Sequence, residues 1–164
     1  MKDVIREKSI LLIDDDARML RALDRVLRAE GAIVTCTQWA GDAVDILTAR
    51  RNRIDLVITD LRMPLFSGLT AVYAIHKVFP ALPVIVLTAF GSPVVRAECL
   101  REGAAAFLEK PLESEQLLEV IRDVFHSRQT AAQATEAPNH LAGGEPNAKN
   151  TNGESSTNER NGSL

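Results

Sequence analysis

The sequence is poor in the residues that mark several large classes of protein. Aromatic residues make up 4% of the 164 positions, which disfavours a base-stacking surface for single-stranded nucleic acid. The net charge of −3 lacks the basic excess typical of nucleic-acid-binding domains. No apolar run approaches the roughly 20 residues that a membrane-spanning helix needs. These absences predict a protein that neither contacts nucleic acid directly nor inserts into a membrane.

Cysteine and export signals are also scarce. The chain has two cysteines, Cys36 and Cys99, which are too few for a disulfide framework. Each lies in an apolar stretch, which is typical of buried, reduced thiols. The first eight residues are mostly charged, whereas a signal peptide requires an apolar core there. We therefore predict a cytoplasmic location.

Apolar residues are abundant up to residue 126 and scarce after it. The whole chain is 46% hydrophobic and 25% charged, as in ordinary globular proteins. All five phenylalanines, the tryptophan and the tyrosine precede residue 127, and the segment 127–164 contains no valine or isoleucine. Such a segment cannot bury enough apolar area to offset the entropy lost on ordering, about 1–2 kcal/mol per residue. The composition predicts one domain over residues 5–126 and a disordered polar tail over residues 127–164.

Five short apolar runs alternate with stretches of helical periodicity inside the predicted domain. The runs are Ile10–Ile13, Ala32–Cys36, Leu56–Thr59, Val84–Leu87 and Ala105–Leu108. Their apolar residues are continuous, as in strands that are buried on both faces. Repeated β-α units joined by right-handed crossovers form an open parallel sheet with helices on both faces. The pattern predicts an α/β, doubly wound fold whose ligand site lies beyond the carboxyl ends of the strands.

The first helical stretch has two contrasting faces. One face carries the apolar side chains of Met19, Leu23, Val26 and Leu27. The other carries most of the charge, from Arg18, Arg21, Arg25 and Arg28. This contrast is typical of a helix that packs on a sheet with its charged face outward.

Polar residues follow four of the five apolar runs. They are Asp14, Asp15 and Asp16 after the first run, Asp60 after the third, Thr88 after the fourth and Lys110 after the fifth. Asp16 by itself is best explained as the cap of the first helix. Crowded carboxylates raise one another's pKa, and a hard cation such as Mg²⁺ relieves their repulsion. With a lysine and a threonine beside them, the carboxylates predict a cradle for a phosphoryl group next to a carboxylate nucleophile.

Four motifs carry a resemblance to a known family. They are Leu-Leu-Ile-Asp-Asp-Asp at 11–16, Asp-Leu-Arg-Met-Pro at 60–64 with Gly68 after it, Val-Ile-Val-Leu-Thr-Ala at 84–89 and Phe-Leu-Glu-Lys-Pro at 107–111. In this order and spacing they resemble the receiver domain of two-component response regulators, and the resemblance covers nearly all of residues 8–126. It implies a flavodoxin-like (βα)5 fold with five parallel strands in the order 2-1-3-4-5.

The resemblance also implies the residues of the site. Asp60 would be the residue that is phosphorylated, and Thr88 and Lys110 would hold the phosphoryl oxygens. Asp15 would bind Mg²⁺ directly and Asp14 would bind it through water, with the Asp60 side chain and the backbone carbonyl of Arg62 as further ligands.

Further expectations from the resemblance concern the residues around the site. Thr88 and Phe107 would form the switch, with the Phe107 ring turning inward after phosphorylation. The Lys110–Pro111 peptide bond is typically cis in such domains. Arg62 and Phe90 occupy the two positions that tune the lifetime of the phosphoryl group, and a bulky Phe90 would shield that group from water.

The resemblance implies a function as a single-domain response regulator, which is not an enzyme beyond its own phosphorylation and dephosphorylation. Its partners would be a sensor histidine kinase or phosphotransfer protein, and a downstream protein that binds the face formed by the fourth helix, fifth strand and fifth helix. Two alternatives stay open. One is a pseudo-receiver that binds partners without phosphorylation. The other is a small phosphatase similar to the haloacid dehalogenases, with Asp14 as nucleophile and Asp16 as acid, which leaves Asp60 without a clear role.

Overall fold

Five parallel strands alternate with five helices along the chain. The computed structural model describes residues 4–49, 53–64 and 67–135. The strands are β1 (Ser9–Ile13), β2 (Ile33–Thr37), β3 (Leu56–Thr59), β4 (Val84–Thr88) and β5 (Ala106–Glu109). The helices are α1 (Ala17–Ala29), α2 (Gly41–Ala49), α3 (Gly68–Val78), α4 (Pro93–Arg101) and α5 (Ser114–Thr135). Each predicted apolar run matches an observed strand to within one residue at either end.

The strands form a single sheet in the order β2-β1-β3-β4-β5, and every neighbouring pair is parallel. The predicted doubly wound fold and its strand order are thus confirmed. The chain reverses its direction of travel across the sheet beside β1, which lies between β2 and β3. In such sheets the crevice at this reversal, beyond the carboxyl ends of the strands, is the usual ligand site.

Residues along each central strand point alternately to the two faces of the sheet and so contribute to two cores. One core packs the sheet against α1 and α5 and includes Ile10, Leu12, Ile58, Leu27 and Ile121. The other packs it against α2, α3 and α4 and includes Leu11, Val57, Leu47, Val72 and Cys99. Burial on both faces explains why these strands have continuous apolar sequences. None of the helices in the described ranges is long and apolar enough to cross a membrane.

Helix α5 extends further than the composition predicts. The predicted domain boundary at residue 126 falls inside this helix, which continues to Thr135. The Thr130 hydroxyl donates to the backbone carbonyl of His126 at 3.1 Å within the extension. Once a helix exists, each added residue gains a hydrogen bond without a new nucleation cost, and the extension is rich in alanine and glutamine. The structure therefore corrects the prediction of disorder directly after residue 126, and the remaining tail, 136–164, lies outside the described residues.

The two cysteines have different surroundings. Cys99 is fully buried in α4, as predicted. Cys36 is exposed, because β2 is an edge strand and this residue lines a shallow hollow between β2 and α1. The expectation that both thiols are buried is therefore wrong for Cys36, although both are free.

Candidate functional site

The backbone ladder of the sheet continues past the strands and positions two of the predicted acidic residues. The Asp60 N–H donates to the Ile13 carbonyl at 2.8 Å, which ties the end of β3 to the end of β1. The Asp14 N–H donates to the Thr37 carbonyl at 3.2 Å, which ties β1 to β2. Asp14 and Asp60 thus lie side by side at the crevice where the strand order reverses.

Three carboxylates meet at this edge of the sheet. One oxygen from each of Asp14, Asp15 and Asp60 lies within 4.8 Å of the others. Asp14 and Asp60 are buried, whereas Asp15 is exposed. Asp60 Oδ1 is buried and has no hydrogen-bond partner among the described residues. Because an unpaired buried carboxylate oxygen is costly and Mg²⁺ prefers carboxylate ligands, the three side chains fit a magnesium ion.

Lys110 supplies the positive charge of the site. Its Nζ lies 2.6 Å from Asp14 Oδ2 and 3.7 Å from Asp60 Oδ1. The backbone N–H of Lys110 donates to the backbone carbonyl of Thr88 at 2.8 Å, which brings the end of β5 beside the end of β4. The Lys110–Pro111 peptide bond is cis, as predicted.

The surroundings of Asp60 change its acidity. Burial raises the pKa of the Asp60 carboxyl above its usual range, and the negative charge of Asp14 acts in the same direction. The Lys110 ammonium, the Leu61 N–H and the Thr88 hydroxyl act against that rise, but the pKa stays raised. A carboxylate that is poorly solvated and in reach of a cation is well placed to act as a nucleophile.

The two predicted switch residues are both inside the protein. Thr88 is fully buried, and its hydroxyl accepts a hydrogen bond from the Phe90 N–H at 3.2 Å. The Phe107 side chain is 2% exposed and belongs to the core under α2, α3 and α4. An Arg96 Nη donates to the Phe107 carbonyl at 3.2 Å, which attaches α4 to β5. The expected inward turn of the Phe107 ring is therefore not a movement that starts from this structure, in which the ring already points inward.

Arg62 and Phe90 stack on each other at the surface. The Arg62 guanidinium carbon lies 4.2 Å from the centroid of the Phe90 ring, and both side chains are exposed. A cation at this distance over an aromatic face is attracted by the ring. The sequence singles out both positions, but it does not predict that the two side chains meet.

Two further residues shape the loops around the carboxylates. The Asp16 side chain accepts from the Arg18 and Met19 N–H groups, so it caps α1 as predicted. The Gln38 side-chain amide donates to the Asp15 carbonyl at 2.9 Å and ties the loop after β2 to the acidic segment. Sequence reasoning misses Gln38, because its motif-free loop gives no signal of that contact.

Gly68 allows the loop after β3 to close. Its N–H donates to the Leu61 carbonyl at 2.7 Å. A Cβ atom at this position would collide with the backbone of Asp60 and lie 2.7 Å from the Leu61 Cα. Only glycine leaves room for the first turn of α3 to pack directly on the backbone of Asp60.

Comparison with known proteins finds one family. Residues 10–122 match the family described as the response regulator receiver domain. The chain is 36% identical over 116 residues to the transcriptional regulatory protein GlrR of Escherichia coli (strain K12), an alignment that covers 71% of the chain and 26% of GlrR. It is 34% identical over 136 residues to the transcriptional regulatory protein ZraR of Salmonella typhimurium, an alignment that covers 82% of the chain and 30% of ZraR. The chain therefore spans less than a third of the length of these two relatives.

A solved structure agrees with the sequence relatives. The response regulator receiver domain protein from Clostridium thermocellum superposes with a TM-score of 0.71 and 31% sequence identity. The superposition covers 76% of this chain and 98% of that chain. The similarity thus includes a complete receiver fold.

Proposed function

The chain belongs to the response regulator receiver family, and from that membership we propose that Asp60 accepts a phosphoryl group from a phosphohistidine of a sensor kinase or phosphotransfer protein. The observation that carries the proposal is the buried Asp60 carboxylate, which lies between Asp14, Asp15 and Lys110 and has an oxygen without a hydrogen-bond partner among the described residues. The chain is then a phosphoacceptor signalling domain and not an enzyme that acts on a separate substrate.

The transfer makes one bond and breaks one bond. A carboxylate oxygen of Asp60 attacks the phosphorus atom in line, and the phosphorus–nitrogen bond of the donor histidine breaks, with its electron pair left on the imidazole nitrogen. The Lys110 ammonium neutralises charge on the oxygens of the transferred group, and the Thr88 hydroxyl donates to one of them. Positioning and charge neutralisation suffice, so the site needs no general base.

The carboxylates are also the proposed metal ligands. The side chains of Asp14, Asp15 and Asp60 and the backbone carbonyl of Arg62 would hold Mg²⁺. When bound, this ion supplies positive charge next to the phosphoryl oxygens. The crowding of three carboxylates within 4.8 Å supports this assignment, since their mutual repulsion is relieved by a cation.

The signal would leave the site through Thr88 and Phe107. Thr88 lies at the end of β4 and Phe107 in β5, beneath the exposed face of α4, β5 and α5. The hydrogen bond from Arg96 to the Phe107 carbonyl links that face to the core. We propose that a shift of the Thr88 hydroxyl toward a phosphoryl oxygen changes this linkage, and that a downstream protein reads the change.

The two sequence relatives are much longer than this chain, so their whole functions are not assigned to it. The names of GlrR and ZraR describe transcriptional regulators, and the chain spans 26% and 30% of them. The predictions of a single-domain regulator, of no direct contact with nucleic acid and of a cytoplasmic location therefore stay predictions.

The intact mass of the protein after incubation with acetyl phosphate tests the proposed function. We expect the gain of one phosphoryl group, which requires Mg²⁺ and is lost in Asp60→Ala. A folded protein that gains no mass would contradict the proposal and favour a pseudo-receiver. Rapid hydrolysis of acetyl phosphate that depends on Asp14 and not on Asp60 would favour a phosphatase.

A further inference from the structure

A groove lies at the edge of the sheet opposite the three clustered carboxylates. Because all the strands are parallel, their amino ends share this edge, and the groove is lined by the residues directly before β1, β3 and β4, which are Lys8, Asp55 and Pro83. Its other wall is the later part of α5, including Arg128 and Ala132. The volume is about 820 Å³, within the usual range of small-molecule sites. We call this cavity the α5 groove.

The walls of the α5 groove are largely apolar. Ile54, Phe79 and Leu82 line it from the segments that precede β3 and β4. Leu47 and Phe125 line it from α2 and α5. An apolar molecule in the groove would remove part of these side chains from water, which favours binding.

Arg128 is the one charged residue of the α5 groove without a partner among the described residues. Lys8 and Asp55 form an ion pair at 3.1 Å, and the Ser9 N–H donates to the second Asp55 carboxylate oxygen at 2.8 Å. The Arg128 guanidinium forms no ion pair or side-chain hydrogen bond within the described part of the chain. Arg128 is half-buried, and the loss of water around the guanidinium lowers its pKa. A partly desolvated cation of this kind gains from an anionic partner.

The nearest candidate partner within α5 does not neutralise Arg128. The Arg128 side chain also lines a second hollow, of about 380 Å³, and Asp123 lines the same hollow. No ion pair joins the two residues among those that the structure describes. An anion in the α5 groove would supply the missing partner.

The C-terminal segment of the chain itself is poorly suited to fill the α5 groove. Leu141 and Leu164 are the only large apolar residues after residue 126. Such a segment would bury little apolar area against the walls in exchange for the entropy that it loses on ordering. A separate molecule with an apolar chain and one negative charge suits both the walls and the guanidinium.

We propose that the α5 groove binds a small soluble carboxylic acid, with its carboxylate on Arg128 and its apolar chain against Ile54, Phe79 and Leu82. A guanidinium presents parallel N–H donors that match the two oxygens of a carboxylate. One unpaired positive charge balances a monoanion, whereas a phosphate monoester carries nearly two negative charges. The inference is independent of the proposed function, because the groove and Asp60 lie at opposite edges of the sheet.

The test is a titration of the full chain with sodium octanoate, followed by two-dimensional ¹H–¹⁵N NMR. We expect saturable shifts of the residues that line the groove, with a dissociation constant of about 1 mM or lower, as a ligand of about ten non-hydrogen atoms allows. Arg128→Gln should weaken octanoate binding by about tenfold or more, because a charge-assisted hydrogen bond is lost. The same variant should bind uncharged 1-octanol as the unaltered chain does. Arg25→Gln, which removes an exposed arginine of α1 outside the groove, is the matched control and should bind octanoate normally.

A second variant tests the apolar part of the site. Ala132 is exposed and lines the groove, so the ring in Ala132→Phe should occupy the groove and weaken the binding of octanoate and of 1-octanol alike. Unchanged binding of both molecules by this variant would contradict the proposed position of the apolar chain.

Several other outcomes would overturn the inference. They are equal octanoate binding by Arg128→Gln and the unaltered chain, shifts centred outside the groove, or no saturable shifts at ten times the expected dissociation constant. Tighter binding of the groove to phosphatidylglycerol vesicles than to octanoate would indicate a membrane surface instead. Without octanoate, a change of the groove signals in Leu141→Ser would indicate the chain's own C-terminal segment as the occupant, and their dependence on protein concentration would indicate a second copy.

Discussion

Asp60 combines a buried position with a raised pKa, and this combination makes the stability of the protein depend on pH. The folded state holds a proton on Asp60 at a higher pH than the unfolded chain does, so stability falls as the pH rises from the unfolded value of about 3.8 through the raised folded value. Above the folded value this loss is complete. The charge of Asp60 thus lowers the stability of the folded protein, and its proposed role as a nucleophile requires that charge.

Asp60→Asn should therefore unfold at a higher urea concentration than the unaltered protein at pH 7, with EDTA present to remove metal. At pH 3 Asp60→Asn and the unaltered protein should unfold at the same urea concentration, because Asp60 is then protonated in both the folded and the unfolded state. Asp45→Asn, which changes an exposed acidic residue of α2, is the matched control and should behave as the unaltered protein does at both values. If Asp60→Asn raised the urea concentration of unfolding equally at pH 7 and at pH 3, the carboxylate charge would not be the cause of the increase.

Phe90 offers a second prediction at this scale. Its ring is 54% exposed and stacks on Arg62 beside the site, so it is placed to keep water from attacking the phosphoryl group in line. Phe90→Ala should lose the phosphoryl group from Asp60 severalfold faster, as followed by intact mass after removal of acetyl phosphate. Val94→Ala, an exposed apolar residue of α4, should leave the rate unchanged. An equal or slower loss from Phe90→Ala would contradict the shielding role.

The sequence predicts the position of a side chain well when that residue ends a strand or directly follows one. Asp14, Asp60, Thr88 and Lys110 come together because the carboxyl ends of parallel strands meet at one edge. Contacts between loops are different, because each depends on a backbone path that no periodicity encodes. The contact of Gln38 with the Asp15 carbonyl belongs to this second class.

Among the elements, the junction of β3 and α3 is tightly constrained. Gly68, the first residue of α3, lies so close to Asp60 and Leu61 that a methyl group would meet their backbone atoms. Gly41, the first residue of α2, has open space at the same position. The two glycines thus form a natural pair for comparison.

Gly68→Ala should lower the free energy of unfolding by about 1–3 kcal/mol, the usual cost of overpacking, and should slow labelling of Asp60 by acetyl phosphate. Gly41→Ala should be neutral or stabilising by up to about 1 kcal/mol, because alanine favours a helix. Urea unfolding and intact mass measure the two effects. Equal stability of the two variants would mean that the loop moves away at little cost.

The sequence predicts the ends of an element well where burial of apolar residues determines them. It predicts them poorly where a helix continues beyond the core. The central strands β1, β3 and β4 agree with their apolar runs because each is buried on both faces, whereas the edge strands β2 and β5 are partly exposed. The end of α5 lies beyond the core, so its position depends on weak propensities instead of apolar contacts.

For the molecule as a whole, binding of Mg²⁺ to the carboxylates of Asp14, Asp15 and Asp60 should raise the free energy of unfolding. A ligand that binds only the folded state at ten times its dissociation constant adds about 1.4 kcal/mol to the free energy of unfolding. Mg²⁺ should therefore shift urea unfolding to higher concentrations than NaCl of equal ionic strength does. Asp15→Asn removes an exposed carboxylate of the cluster and should lose most of the shift. The same Mg²⁺ shift in both proteins would argue against the proposed ligand set.

The two cysteines differ in exposure, so the folded protein offers a single thiol, that of Cys36, for covalent labelling. Cys99 is sealed in the core, so a thiol-reactive dye added to the folded chain will modify Cys36 alone. Partial burial and the nearby Asp24 raise the pKa of the Cys36 thiol, so the coupling is best done under mildly alkaline conditions. A fluorophore at Cys36 lies in the hollow between α1 and β2, beside Arg21, and attaching it there needs no substitution in the chain.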